Sequence, residues 1–192
     1  MTELIRVIDA SESGRLTEIG EMTALAYLAD GLIEANHPYA TILRDAQARA
    51  QQATLLAMLD GDGGEGAVVG TLTVVPAGTP FAELAQDGEY ELRMLAVNPI
   101  ERGRGIGEKL TRAGMEMAVA AGASRVVLST MESMHAAHRI YERLGFTRRE
   151  DLDWTVADGG EANASRLTPG QFPTEPARAV QGMRLWGYSW QP

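Results

Sequence analysis

Cysteine is absent from the chain. That removes a disulfide framework, a thiolate nucleophile and any Cys-based zinc site. Histidine is scarce, with three in all; His135 and His138 stand three apart on an expected helix, a spacing metal sites use, but no carboxylate is obviously placed to complete a set with them, and no metal is expected. No stretch approaches the run of roughly 20 apolar residues that spans a bilayer. Met1-Thr2-Glu3-Leu4-Ile5-Arg6 lacks the basic segment and apolar stretch of a secretory signal, so no membrane partner is expected and the cytoplasm is the expected compartment. Excess positive charge is missing too. A formal net charge of −9 argues against a nucleic-acid partner; it would draw a cationic ligand and repel an anionic one. No repeat or heptad array interrupts the pattern.

What is present is 192 residues at 45% hydrophobic content, enough for one α/β domain across 1–192 and short for two. Leu4 to Ile8 reads as an opening strand. Apolar residues recur near a 3.6 period from Glu12 to about Glu34, where Asn36-His37-Pro38 stops the helix. A second helix is expected over 40–53. Strands at 54–59 and 67–75 flank the glycine-rich link 60–66, as in a β-hairpin. A loop follows to Gly88, then a strand from Tyr90 to Val97, a helix from Gly105 to Ala121 with Ile106, Leu110, Ala113 and Met117 on one face, and a strand from Arg125 to Thr130. His135 to Leu144 is helical, with Gly145 as its C-terminal cap. Strand signals return at 152–156 and 183–190, separated by a Gly-, Pro-, Asn- and Thr-rich segment, 158–179, expected to be a long surface loop. This order describes a mixed sheet with helices on both faces. On the last strand Arg184, Trp186, Tyr188 and Trp190 share a face, which can complete the core, line a pocket or seat a second copy in a homodimer.

The most informative segment is Arg102-Gly103-Arg104-Gly105-Ile106-Gly107, between a strand and a helix. Glycines there let the main chain approach an anion and turn its N–H groups inward, and a helix start adds about half a positive charge. With Lys109 and Arg112, the two arginines make this the most basic patch of an acidic chain. Together these features describe a pyrophosphate cradle. The spacing is neither G-x-G-x-x-G nor a P-loop.

Two runs carry a resemblance. Glu91-Leu92-Arg93-Met94-Leu95-Ala96-Val97-Asn98-Pro99 followed by Arg102-x-x-Gly105-x-Gly107 resembles the acetyl-CoA signature of the GNAT acetyltransferase superfamily. Ala137-His138-Arg139-Ile140-Tyr141-Glu142-Arg143-Leu144-Gly145-Phe146 is similar to that family's A-x-x-x-Y-E-x-x-G-F helix. The resemblance covers roughly Tyr90 to Phe146 and implies a mostly antiparallel central sheet, splayed at the cofactor site, with the cofactor-binding core at about 90–146. It implies that main-chain groups of Leu95, Ala96 and Val97 bond the pantetheine arm, and that the amides of Gly103, Arg104, Gly105, Ile106, Gly107 and Glu108, after Arg102, hold the diphosphate. The family often has an asparagine seven residues before its tyrosine; here that position is Met134, and the amide's contact must be lost or replaced. Acceptor-side elements are expected at about 12–53 and 158–179.

The same resemblance implies acetyl transfer from acetyl-CoA to an amine, whether a small molecule or a peptide. Freeing an alkylamine of pKa about 10.4 from its proton at pH 7 costs roughly 4.6 kcal/mol, so a carboxylate base is useful. Glu91 matches the family's base in several members. Others use a glutamate on the next strand, where this chain has Ser129, and Glu132 just beyond is the fallback. Tyr141 matches the family's general acid, a phenol able to protonate the departing thiolate. A different reading is a regulatory or sensor module that binds acyl-CoA with little chemistry. The acceptor's identity is not written in these residues.

Overall fold

Gly14 and Gly31 set the length of the first helix. Both have left-handed backbones, at φ 71° and 64°, which a right-handed helix cannot contain. Strand β1 (Ile5–Asp9) therefore leads to α1 (Leu16–Ala29), shorter at both ends than the expected 12–34. The structure, a computed structural model, describes residues 5–61, 66–155 and 184–192.

The expected helix at 40–53 is two short ones. Pro38 takes the first position of α2 (Pro38–Arg44), where its missing N–H costs nothing, and His37 Nδ1 accepts the Tyr39 amide at 3.1 Å. Asp45 then breaks the run: at ψ 67° its carboxylate accepts the Ala48 amide at 2.9 Å and starts α3 (Ala46–Ala50) afresh. Next come β2 (Thr54–Asp60), β3 (Ala67–Pro76), β4 (Glu89–Val97), a 3₁₀ turn at Pro99–Glu101, α4 (Ile106–Ala120), β5 (Arg125–Met131), α5 (His135–Arg143), β6 (Thr147–Thr155) and β7 (Arg184–Trp190). The expected loop at 158–179 lies outside the described residues. Strand β6 starts five residues before the expected Leu152, because a charged edge strand carries little apolar signal.

The sheet runs β1-β2-β3-β4-β5-β7-β6, antiparallel throughout except for β4 and β5. Both faces are covered, which explains why β2 reads as an unbroken apolar run. Leu56 and Met58 join Leu72, Leu92, Ile106 and Leu110 beneath α4 and α5. Leu55, Ala57 and Leu59 face Ile19, Met22 and Ala26 of α1. Each buried Leu, Ile or Met among them contributes about 1.5–3 kcal/mol. Helices α1 and α2 touch backbone to backbone: a Cβ on Gly20 would lie 1.9 Å from the Arg44 carbonyl oxygen. No helix among the described residues is long and apolar enough to cross a membrane.

One irregularity opens the sheet. Strands β4 and β5 pair from Glu89–Arg125 to Leu92–Leu128 and no further. Just past that point Met94 adopts φ 54°, and the register with β3 shifts between Thr71 and Thr73. The strands part there as at a bulge, leaving the edge of Leu95–Val97 without a β5 partner.

Candidate active site

Three neighbouring hollows, with Tyr27 and Met134 common to their walls, follow this wedge. The largest, about 780 Å³, is lined by Leu95, Ala96 and Val97 on the open edge of β4 and by Arg102, Gly103, Gly105, Ile106, Gly107 and Glu108. Helix α5 and the residue before it supply the facing wall through Met134, Ala137 and Ile140, and the end of α1 closes one end with Tyr27 and the following Asp30. The expected cofactor residues are thus together, with one difference. The Arg104 side chain does not line the hollow; its guanidinium is paired with Asp60 at 3.2 Å and with Glu101.

The loop has the geometry of an anion cradle. Gly103 and Gly105 sit at φ 84° and 74°, and a Cβ on either would meet nothing within 4 Å. Gly105 is the residue before α4, and the Lys109 amide bonds its carbonyl at 3.0 Å. The amides of Ile106, Gly107 and Glu108 precede that bond and have no carbonyl within the helix to take. The side chains, by contrast, contribute less positive charge than the sequence indicates. Arg102 pairs with Asp30 at 2.6 Å, and Arg112 and Arg143 both reach Glu108, at 3.3 and 3.0 Å. The favourable field for an anion comes from the main chain and the helix start. Open glycine faces, spare amides and an unpaired strand edge fit a diphosphate joined to an extended arm.

Tyr141 lies at the apex of the wedge. It is buried, with ring centroids 5.9 Å from Phe146 and 6.0 Å from Tyr188, and lines a second hollow of about 30 Å³ with Tyr27, Ser129, Thr130 and Met134. That is room for a water molecule. Burial, and then the neighbouring Tyr188, pushes its hydroxyl well above the usual phenol range, so it holds its proton at neutral pH. Met134 touches all three hollows, and its Sδ is 3.6 Å from the Thr130 hydroxyl; a thioether wall stands where the family often has an amide.

The third hollow, about 220 Å³, is bordered by Arg93 and Met94 of β4 and by Ser129, Thr130 and Met131 of β5. Tyr27, Leu32, Ile33, His37 and Tyr39 line it from the α1–α2 side, Trp154 and Leu185 from the far strands, and Glu83 and Arg93 carry its charge. Glu91 lines none of the three. Its carboxylate is fully buried under the β3–β4 loop, where Oε2 accepts the amides of Glu83 at 2.8 Å, Leu84 at 2.7 Å and Ala85 at 3.2 Å. Burial pushes this carboxyl up, while Arg93, with its Nε 3.6 Å from Oε1, and two of the amides oppose the rise. Glu132 is exposed and also outside the three hollows.

Sequence reasoning missed Tyr27 and Glu83. Tyr27 borders every hollow, and burial, then Tyr39 and Tyr141, raises its hydroxyl. The only local signal was an aromatic among the small residues of α1. Of the histidines, His138 stacks on Trp186 at 5.0 Å with Nε2 3.0 Å from the Met131 carbonyl oxygen. Among the described residues no group of three or more His, Asp or Glu is placed to hold a metal ion. Tyr188 from the aromatic row is buried in the core, with Trp186 and Trp190 packed against it.

The Acetyltransferase (GNAT) family matches residues 21–146. Mycothiol acetyltransferase of Streptosporangium roseum is 47% identical over 58 residues, which are 30% of this chain and 17% of that protein; the match thus spans about a sixth of that relative. A GNAT family acetyltransferase from Brucella melitensis, solved with acetyl-CoA, is 26% identical at a TM-score of 0.56, covering 75% of this chain and 83% of its own. A GCN5-related N-acetyltransferase from Kribbella flavida shares the fold over 98% of both chains at a TM-score of 0.64 and 20% identity.

Proposed function

Since the chain belongs to the GNAT acetyltransferase family, we propose that it transfers an acetyl group from acetyl-CoA to an amine, which attacks the thioester directly. The amides of Gly103 to Glu108 would hold the diphosphate, and the open edge at Leu95, Ala96 and Val97 the pantetheine arm. Bound acetyl-CoA supplies an activated acyl group on a thiol leaving group. Tyr141 keeps its proton through burial and donates it to the departing sulfur. Met134 and Ile140 exclude water from the path between. Such a reaction belongs where acetyl-CoA is made and used, in the cytoplasm.

The reading is carried by the convergence, at one split in the sheet, of an unpaired strand edge, a glycine-bounded helix start and a buried phenol. Its test begins with ligand-dependent unfolding. Acetyl-CoA or CoA at roughly 100 times its dissociation constant should add about 2.7 kcal/mol, and NAD should add nothing. A panel of primary amines is then scored for thiol release from acetyl-CoA. Binding without release from any amine would favour the second reading, a sensor of acyl-CoA, to which the use of Glu91 in holding a loop lends support.

A further inference from the structure

We infer that Glu83, rather than Glu91, is the carboxylate that serves the acceptor. It binds the ammonium of a small, largely apolar primary amine in the 220 Å³ hollow and takes the proton that amine sheds. This deepens the proposed acetyl transfer and rests on it.

Among the described residues, Glu83 is the only Asp or Glu lining that hollow. Its partner there, Arg93, is already engaged. The guanidinium bonds Glu83 Oε1 at 2.6 Å, lies 3.6 Å from Glu91 Oε1 and donates to the Phe81 carbonyl. Two carboxylates therefore share one guanidinium, and among the described residues no other Lys or Arg lines the hollow to receive an acceptor's own carboxylate. A cation entering beside Glu83 completes the arrangement, whereas an anion would displace it. The remaining walls, including Leu32, Ile33, Tyr39, Met94 and Trp154, suit an apolar or aromatic body. A cavity of this size takes a molecule of about a dozen non-hydrogen atoms.

Glu91 then has a definite task. Its three amide bonds fix residues 83–85 and so aim the Glu83 side chain; it is a positioning residue. The hollow shares Tyr27, Met94, Ser129, Thr130 and Met134 with the space around Tyr141, so an amine held at Glu83 borders the phenol's chamber. The protons balance. The ammonium gives one to Glu83, directly or through a water, and from there it reaches solvent. As the N–C bond forms and the C–S bond breaks, sulfur takes the Tyr141 proton, and the second proton lost by nitrogen restores the phenol.

The test uses the full chain, with 2-phenylethylamine and its neutral analogue 2-phenylethanol as probes. Calorimetry measures binding of each, and of acetyl-CoA, to wild type, Glu83→Gln, Glu91→Gln and Glu91→Ala; thiol release gives turnover. Glu83→Gln should hold acetyl-CoA as wild type does while losing roughly ten- to hundredfold in amine affinity, the value of one charged contact, together with its preference for amine over alcohol. Glu91→Gln, whose amide oxygen can still accept the three N–H bonds, should keep both affinities, and Glu91→Ala should weaken the amine alone. Wild-type amine affinity in Glu83→Gln would overturn the assignment. So would a Glu91→Gln protein that binds both ligands but turns nothing over, because Glu91 would then be the base. A wild type that binds acetyl-CoA but not the amine would overturn the acceptor class. Failure to bind acetyl-CoA would instead sink the proposed function itself.

Discussion

The Arg102 guanidinium meets the Asp30 carboxylate in a two-pronged pair, Nη1 to Oδ1 at 2.6 Å and Nη2 to Oδ2 at 3.0 Å. It ties the residue after α1 to the glycine loop, and both residues line the 780 Å³ hollow. A diphosphate arriving at the cradle must compete with Asp30 for this arginine. Asp30→Asn should release Arg102 and tighten CoA binding by up to about fivefold, in keeping with an exposed pair worth roughly 0.2–1 kcal/mol. It should also steepen the loss of affinity with salt. Titration calorimetry at two ionic strengths measures both. A weaker complex in Asp30→Asn would mean that the pair shapes the site instead of masking it.

Gly105 makes a second demand on the loop. It sits at φ 74° immediately before α4 with open space where a Cβ would stand. Alanine there suffers no collision, so its cost to folding is conformational, about 1–2 kcal/mol. The larger effect should fall on ligand: the new methyl projects into the space an anion would use. Gly105→Ala is expected to unfold at a moderately lower urea concentration and to lose more than about tenfold in acetyl-CoA affinity, beyond the stability change at roughly 1.4 kcal/mol per decade. Equal acetyl-CoA stabilisation of mutant and wild type would remove the loop from the binding site.

Tyr141→Phe separates chemistry from packing. The ring contacts with Phe146 and Tyr188 survive, and only the hydroxyl goes. Turnover should fall by about 10²-fold or more, the usual weight of a positioned acid, with acetyl-CoA affinity nearly unchanged. Burial raises the phenol, so in the wild type it stays protonated as pH climbs through the ordinary phenol range near 10. The alkaline limb of kcat should therefore show no loss near pH 10 that the Phe variant lacks. Linkage has the same sign: the stability that goes with a neutral Tyr141 is present below about pH 10 and lost above it. A Phe variant with full turnover would leave Tyr141 as core alone.

The parts legible in the sequence were those written in local spacing. The glycine loop and the α5 motif each fall within a dozen residues, and one strand–loop–helix unit places them. The rest depends on contacts distant in sequence. Glu91 reads as a site carboxylate because its strand position invites it, yet the amides of residues 83–85 fold over and occupy it. Glu83 lies in an irregular loop with no periodicity to mark it. Tyr27 gains its place only when α1 crosses the split sheet. The expected basic patch depended on counting arginines, while the carboxylates that pair with two of them, Asp30 and Asp60, lie 72 and 44 residues away. The break in the 40–53 helix came from one short side chain, Asp45, preferring to start a new turn over continuing the old one.

His138 gives the fold a pH dependence separable from the reaction. It is 6% exposed, stacked on Trp186, with Nε2 at the Met131 carbonyl. Burial lowers its pKa, assisted by His135 and Arg148 and opposed by the Met131 bond and Glu142. A histidine depressed in the folded state binds its proton more readily when unfolded, near pH 6.5. Stability should therefore be complete above that pH and decline as pH falls through the lowered folded value. Glu91 pulls the other way at lower pH: its raised carboxyl favours the folded state as acid is added, so the total curve mixes the two. The difference between wild type and His138→Gln isolates the histidine. The variant should be about 1 kcal/mol less stable at pH 7.5 through the altered hydrogen bond, and that gap should close as pH drops to 5.5, because only the wild type still has a proton to take up. Urea unfolding at the two pH values reads it directly, and a gap that stays constant would place the titration elsewhere.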